Sequence, residues 1–305
     1  MPRSYRYLHY DVFTDRLFGG NQLAVFLDGR GLSSEAMQAI ANEMNFSEST
    51  FVLPRERRET DFRLRIFTPG TEMPMAGHPT IGSAFALARS GVLEPGRDRF
   101  VFGLNIGPTP VTLTWKGGEL DFAWMTQRLP IFSPPIANPA GAARALGLPE
   151  AAVAGTGLPV QVVSCGVPYL LVPLATRRAV DNAASNYEAL DAFFRSDSVK
   201  ASGVLLFSNE RGSDKATVYS RMFAPDLGVS EDPATGSAAG PLGCYLVRHK
   251  VVTAAKGDAI LNLQGVKMGR PSHIHVSIGL EQGDIAGVRV GGEAVLAGEG
   301  TLYMT

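Results

Sequence analysis

The stretch Arg65-Ile66-Phe67-Thr68-Pro69, followed by Glu72-Met73-Pro74-Met75-Ala76-Gly77-His78, decides the fold because the chain repeats it. Arg221-Met222-Phe223-Ala224-Pro225 stands 156 residues further on. Glu231-Asp232-Pro233-Ala234-Thr235-Gly236-Ser237 then follows at an offset of 159, the difference being a longer loop, Asp226 to Ser230. Self-similarity at a fixed spacing marks a repeated structural unit. Each copy runs into a helix of small and apolar residues, about Pro79 to Ser90 in the first and Ala238 to about Arg248 in the second. A helix that is apolar all round is a buried one, so sheet residues wrapped around a central helix are expected in each copy. Upstream, Gly20-Asn21-Gln22-Leu23-Ala24-Val25 has a weaker echo in Gly166-Val167-Pro168-Tyr169-Leu170-Leu171.

Working outward, the first 30 residues alternate apolar and polar side chains around a Phe18-Gly19-Gly20-Asn21 turn, which reads as strand, turn and strand. Met37, Ile40, Ala41 and Met44 have helical spacing behind a cap at Ser33 or Ser34. Strands are expected around Ser49 to Leu53 and from Asp61 to Phe67, and Asn262 to Gly265 ends another. The segment Pro130 to Pro149 is rich in Pro, Ala and Gly and is expected to contain the connection between the copies. Within it, Pro139 to Leu146 reads as a short helix capped by Asn138 and stopped by Gly147. The expected division is residues 1–127 with about 290–305 in one half and 128–289 in the other.

Composition narrows the partners. The 305 residues carry 28 Lys+Arg against 29 Asp+Glu, a net charge of −1. No basic surplus is available to neutralise a phosphate backbone, which argues against nucleic acid. Hydrophobic residues are 45%, enough for a real core. No run approaches the ~18 apolar residues of a membrane span, and the N-terminus offers no secretory signal. Cys165 and Cys244 are too few for a disulfide framework or a zinc site. His273 and His275 share one face of a strand, yet no third ligand stands near them, so no metal is expected. Neither a dinucleotide fingerprint nor a phosphate-binding loop is present, so no cofactor is expected. The expectation is a cytoplasmic protein acting on a small anionic metabolite. Glycine and proline supply 34 and 20 residues, which favours short strands and turns.

Both copies open a buried helix with a glycine. The helix end leaves backbone N–H groups unpaired and carries partial positive charge, a ready site for a carboxylate or phosphate. Gly77 and Gly236 would let a ligand approach closely; alternatively they only start helices. His78 sits at or near the helix cap, where it could donate a hydrogen bond to substrate. Asp232 and Ser237 occupy the same region of the second copy; they could equally be a cap or Asx-turn and a first-turn residue. Glu48 lies in Asn45-Phe46-Ser47-Glu48-Ser49-Thr50-Phe51 between a helix end and a strand. Buried there, its pKa would rise through desolvation and suit a general acid/base; exposed, it is a solvated loop carboxylate.

These blocks resemble the PhzF family of phenazine biosynthesis-like proteins, relatives of diaminopimelate epimerase. The resemblance rests on Asn45 to Phe51, Arg65 to Pro69 leading to Ala76 to Gly82, Glu231 to Ala238, and Met268-Gly269-Arg270-Pro271-Ser272. It implies an α+β fold of two similar halves, each a barrel-like sheet around a central helix, with the active site between them. It further implies that Glu48 moves a proton between carbons, that His78 and Asp232 assist catalysis, and that Ser237 binds substrate with Gly77 and Gly236. The family's type reaction isomerises trans-2,3-dihydro-3-hydroxyanthranilate without a cofactor, and its members commonly form homodimers. The epimerase relatives instead place a cysteine in each glycine turn, and here neither turn has one. A cofactor-independent isomerase is therefore the leading expectation. An epimerase or racemase of an amino-acid-like carboxylate, with Asp232 or a water as second acid, is one alternative. A non-catalytic metabolite-binding protein is the other.

Overall fold

The structure, a computed structural model, describes residues 3–224, 229–253, 256–257 and 259–304. Pro225 of the second block and residues 226–228 of its longer loop lie outside the described residues. The fold is α+β. The chain divides into two compact units, residues 1–126 with 290–305 and residues 127–289.

The first unit holds β1 (Arg3–Val12), β2 (Asn21–Phe26), α1 (Ser34–Met44), β3 (Glu48–Pro54), β4 (Phe62–Phe67), β5 (Glu72–Met73), α2 (Gly77–Arg89), β6 (Arg99–Leu104), β7 (Gly107–Lys116) and β8 (Glu119–Thr126). β1 pairs antiparallel with β2 and, on its other side, with the C-terminal strand. β2 runs parallel to β3, β3 antiparallel to β4, β4 parallel to β6, and β6, β7 and β8 form an antiparallel meander. The short β5 lies along β4, where Ile66 pairs with Met73. α2 is buried from Gly77 to Leu87 and packs on β1, β2, β3 and β8. α1 covers another part of the sheet, its Met37, Ile40 and Ala41 meeting Ala24, Phe26, Phe51 and Phe67.

The second unit holds β9 (Ile131–Pro135), α3 (Pro139–Ala145), α4 (Ala151–Ala154), β10 (Gln161–Ser164), β11 (Pro168–Pro173), α5 (Arg177–Asn182), α6 (Tyr187–Ser196), β12 (Val204–Ser208), β13 (Val218–Ala224), β14 (Val229–Asp232), α7 (Gly236–Arg248), β15 (Ile260–Gln264), β16 (Ser272–Glu281) and most of β17 (Asp284–Gly292). The chain then closes with β18 (Ala294–Met304), the partner of β1. β10 and β11 are antiparallel, β11 and β12 parallel, β12 and β13 antiparallel, β13 and β15 parallel, β15 and β16 antiparallel. β14 lies along β13, where Met222 pairs with Asp232. α7 is buried from Gly236 to Leu246. The four helices α3 to α6 pack against Leu170, Val172, Val204, Leu206, Tyr219 and Phe223. Strands buried on two faces need no polar alternation, which is why β11 reads Pro-Tyr-Leu-Leu-Val-Pro.

The short helix read within Pro130 to Pro149 is α3, with Asn138 accepting from the Gly141 N–H at 2.8 Å, and β9 precedes it in the same segment. Two expectations shift. α2 and α7 each start two residues earlier than read, at their glycines. The first turn of a helix needs no intrahelical N–H partner, so Pro79 fits at the third helical position as well as at the first.

Candidate active site

Glu48 is placed by a helix stop. α1 ends on Asn45, whose left-handed backbone (φ 51°) lets its N–H return to the Ala41 carbonyl, a conformation asparagine tolerates. Phe46 then stacks on His9, ring centroids 4.7 Å apart. Two residues later the chain enters β3, and Glu48 sits beside Leu23 of β2 in the parallel register. Its side chain retains 13% of its exposure, so it is not the solvated loop carboxylate that composition allowed.

His78 reaches the same place from α2. It is the second helical residue rather than a cap: the cap position is Ala76, which makes no side-chain hydrogen bond. The imidazole is 2% exposed, and its Nε2 lies 3.3 Å from Glu48 Oε2. On the other side Nδ1 is 3.1 Å from Asn21 Nδ2. Burial pushes the His78 pKa down to about 3, opposed by a backbone hydrogen bond at Gln22. The ring is therefore neutral near pH 7 and can offer one hydrogen and one lone pair, but no charge. α2 comes this close because its inner face is small. A Cβ on Gly82 would stand 2.6 Å from Leu23 Cδ2 and 2.7 Å from Val12 Cγ2, and Ser83 Oγ lies 3.0 Å from Thr50 Oγ1.

The second unit gathers Asp232, Gly236 and Ser237. Asp232 closes β14 and is 5% exposed. It does not cap α7; its Oδ2 accepts from Thr235 Oγ1 at 2.6 Å. Gln264 ties this turn together, donating to the Asp232 carbonyl at 2.7 Å and accepting from the Thr235 N–H at 3.2 Å. Ser237 is a first-turn residue whose Oγ lies 2.7 Å from the Tyr169 hydroxyl, both buried. Gln127 Nε2 donates to the Gly236 carbonyl at 2.9 Å. Pro241, inside α7, brings no N–H to the Ser237 carbonyl four residues back.

Glu48, Gly77 and His78 thus form one group in the first unit, and Asp232, Gly236 and Ser237 another in the second. Asn21, Tyr169, Gln127 and Gln264 were not among the residues singled out from sequence. The weak echo of Gly20 to Val25 in Gly166 to Leu171 covers both Asn21 and Tyr169, and was the one signal available for them. Cys165 and Cys244 are in neither group: both are fully buried, 3.9 Å apart, with thiol pKa raised for Cys165 by its neighbour and by burial. Among the described residues no three His, Cys, Asp or Glu side chains cluster in a way that could hold a metal, and no helix is long and apolar enough to cross a membrane.

A nearly buried carboxylate against a neutral imidazole is an arrangement chemically capable of acid/base work. The chain matches the family described as phenazine biosynthesis-like protein, PhzC-PhzF, over residues 10–300. It is 38% identical over 306 residues to an uncharacterized isomerase of Mesorhizobium japonicum, covering 98% of each chain. It is 36% identical over 300 residues to the trans-2,3-dihydro-3-hydroxyanthranilate isomerase of Pseudomonas aeruginosa, covering 98% of this chain and 100% of that one. The crystal structure of a PhzF-family phenazine biosynthesis protein from Bacillus anthracis superposes with a TM-score of 0.84 at 27% identity, covering 98% and 99% of the two chains. The chain belongs to the PhzC-PhzF family, and its class of activity is isomerisation.

Proposed function

We propose that the protein is a cofactor-independent isomerase that moves a proton between two carbons of a small carboxylate-bearing substrate, with Glu48 as the single acid/base. The observation that carries this reading is the nearly buried Glu48 carboxylate 3.3 Å from the neutral His78 imidazole. As carboxylate, Glu48 takes a C–H proton beside an activating group, and the electron pair left behind is delocalised into that group. As carboxylic acid, it returns the proton to another carbon, so no oxidant or reductant is consumed. One group doing both steps agrees with the two thiols being buried against each other elsewhere. A neutral His78, whose buried ring resists protonation, stands beside Glu48 without drawing its proton into an ion pair.

His78 and Asp232 assist Glu48 as the other proposed catalytic residues, and Gly77, Gly236 and Ser237 bind the substrate's polar groups. Both α2 and α7 begin without a side-chain cap, which leaves first-turn N–H groups available to an anion. We further read the chain as two copies of one unit, each a sheet around a central helix. Several details support this beyond the sequence echo. Arg65 pairs with Glu72 at 2.6 Å and Arg221 with Glu231 at 2.8 Å. Each guanidinium also covers the phenylalanine two residues on, at 5.0 and 4.8 Å. The strand succession from β1 to β7 alternates parallel and antiparallel in the same order as that from β10 to β16.

The test uses trans-2,3-dihydro-3-hydroxyanthranilate, the substrate in the name of the P. aeruginosa relative, supplied in deuterated water. Wild-type protein should incorporate solvent deuterium as it isomerises the compound. Glu48→Gln should lower that rate by about 10²- to 10⁴-fold, the usual contribution of a positioned acid/base. Unchanged incorporation in the variant, or no turnover by the wild type, rejects the assignment.

A further inference from the structure

The turn between β14 and α7 holds buried polar side chains whose hydrogens are placed by their partners. Asp232 and Thr235 are each 5% exposed, and Gln264 is fully buried. The Gln264 amide meets two backbone groups of fixed sense. The Thr235 N–H can only donate, so Oε1 faces it at 3.2 Å. The Asp232 carbonyl can only accept, so Nε2 faces it at 2.7 Å. The same Nε2 donates to Thr235 Oγ1 at 3.0 Å. An amide nitrogen has no lone pair to offer in return, so the Thr235 hydroxyl directs its hydrogen to Asp232 Oδ2 at 2.6 Å. We infer that Thr235 and Gln264 are positioning residues that hold Asp232 as an ionised carboxylate, which accepts a substrate N–H or O–H and does not serve as an acid.

Burial alone favours the neutral form of a carboxyl, whereas a donor aimed at its oxygen favours the charged form. The Thr235 bond is short, as charge-assisted ones are, and the amide behind the hydroxyl polarises it further. The inference rests on the reading of Asp232 as an active-site group and narrows it. A carboxylate held this way supplies no second proton for racemisation, which leaves Glu48 to move the proton. The device belongs to the second copy alone. At the same offset the first copy has Met73 for Asp232 and Ala76 for Thr235. The charged residues on the elements around Asp232 are Arg221 and Glu231, paired with each other at 2.8 Å. Lys267 and Arg270 follow in the loop after β15, where a Cβ on Gly265 would stand 2.5 Å from the Pro233 carbonyl oxygen. The first turn of α7 adds no charged side chain.

The test needs no turnover. The full chain is labelled with ¹³C at the aspartate side-chain carboxyl carbons, and Asp232 is assigned by the signal lost in Asp232→Asn. In the wild type that signal should stand at the carboxylate position near pH 7. Thr235→Val keeps the shape and removes the donor. The midpoint of the Asp232 titration should then rise by about one pH unit or more, the size of a lost hydrogen bond to a charged group. Gln264→Leu leaves the hydroxyl but frees its direction, and should give a smaller rise. Thr235→Ser restores the donor and should return the midpoint to its wild-type value. A wild-type Asp232 signal at the protonated position, or a midpoint unmoved by Thr235→Val, overturns the inference. The wild-type signal decides even where a variant fails to fold. If the titrations are as stated while Asp232→Asn leaves deuterium exchange intact, the positioning stands and the catalytic reading of Asp232 fails.

Discussion

His78 shows how one buried side chain links the site to the stability of its unit. An unfolded histidine titrates near 6.5, whereas burial lowers the folded value to about 3. Between those values the unfolded chain binds a proton that the folded chain refuses. Stability contributed by the neutral ring is therefore complete above about pH 6.5 and declines as pH falls toward 3, by up to about 1.4 kcal/mol per pH unit. Urea unfolding at about pH 7 and about pH 5 should show a loss of about 2 kcal/mol in the wild type that His78→Gln lacks. An equal loss in both would mean that the folded ring protonates freely. At this scale the sequence was partly legible. Glu48, His78, Asp232 and Ser237 stand in blocks with recognisable residue types. Asn21 and Tyr169 do not announce themselves, because their partners lie 57 and 68 residues away and meet them only once strand and helix are packed.

At the scale of elements, the two central helices are built to lie close to their sheets. Gly82 in α2 has Leu23 and Val12 where its Cβ would be, at 2.6 and 2.7 Å, and both neighbours are fully buried. Gly243 in α7 has Val276 Cγ1 at 2.6 Å and Ile278 Cδ1 at 3.1 Å. Alanine would gain up to about 1 kcal/mol of helix propensity at either position. Overpacking a closed core costs typically 1–3 kcal/mol, so the steric effect wins. Gly82→Ala and Gly243→Ala should each lower the urea midpoint, with a net loss of about 1 kcal/mol. A raised midpoint would show that the helix has room to withdraw from the sheet. The helices themselves were legible from their unbroken small and apolar composition. Their first residues were not, because a glycine closely following a short strand reads as part of the turn until the geometry of a first helical turn is in hand.

At the scale of the molecule, the first unit is discontinuous in sequence. β18 returns to pair with β1 from Arg3 with Met304 to Val12 with Ala294. A fragment ending at residue 126 leaves that edge of β1 without its ladder, and buried residues such as Leu8 and Tyr10 lose their cover. Residues 1–126 alone should bind a hydrophobic dye and melt without a cooperative transition. The same fragment joined to 290–305 by a flexible linker should regain one. Cooperative unfolding of the bare fragment would place the stability of the unit in its other strands.

The duplicated blocks, the buried helices, the near-neutral charge and the family were all determined by the sequence alone, since each rests on residue types at fixed local spacing. Spacing of 3.6 or 2 selects helix or strand wherever the chain lies, and a repeat announces itself without any coordinates. What only the tertiary structure decided is which side chains face one another. Glu48 meets His78 because β2 and β3 run parallel in one register and a helix of small residues lies against them. Asn21 meets the same ring because β2 starts where it does. Such meetings depend on strand order, register and the closeness of packing, which are properties of the folded chain and not of any segment of it.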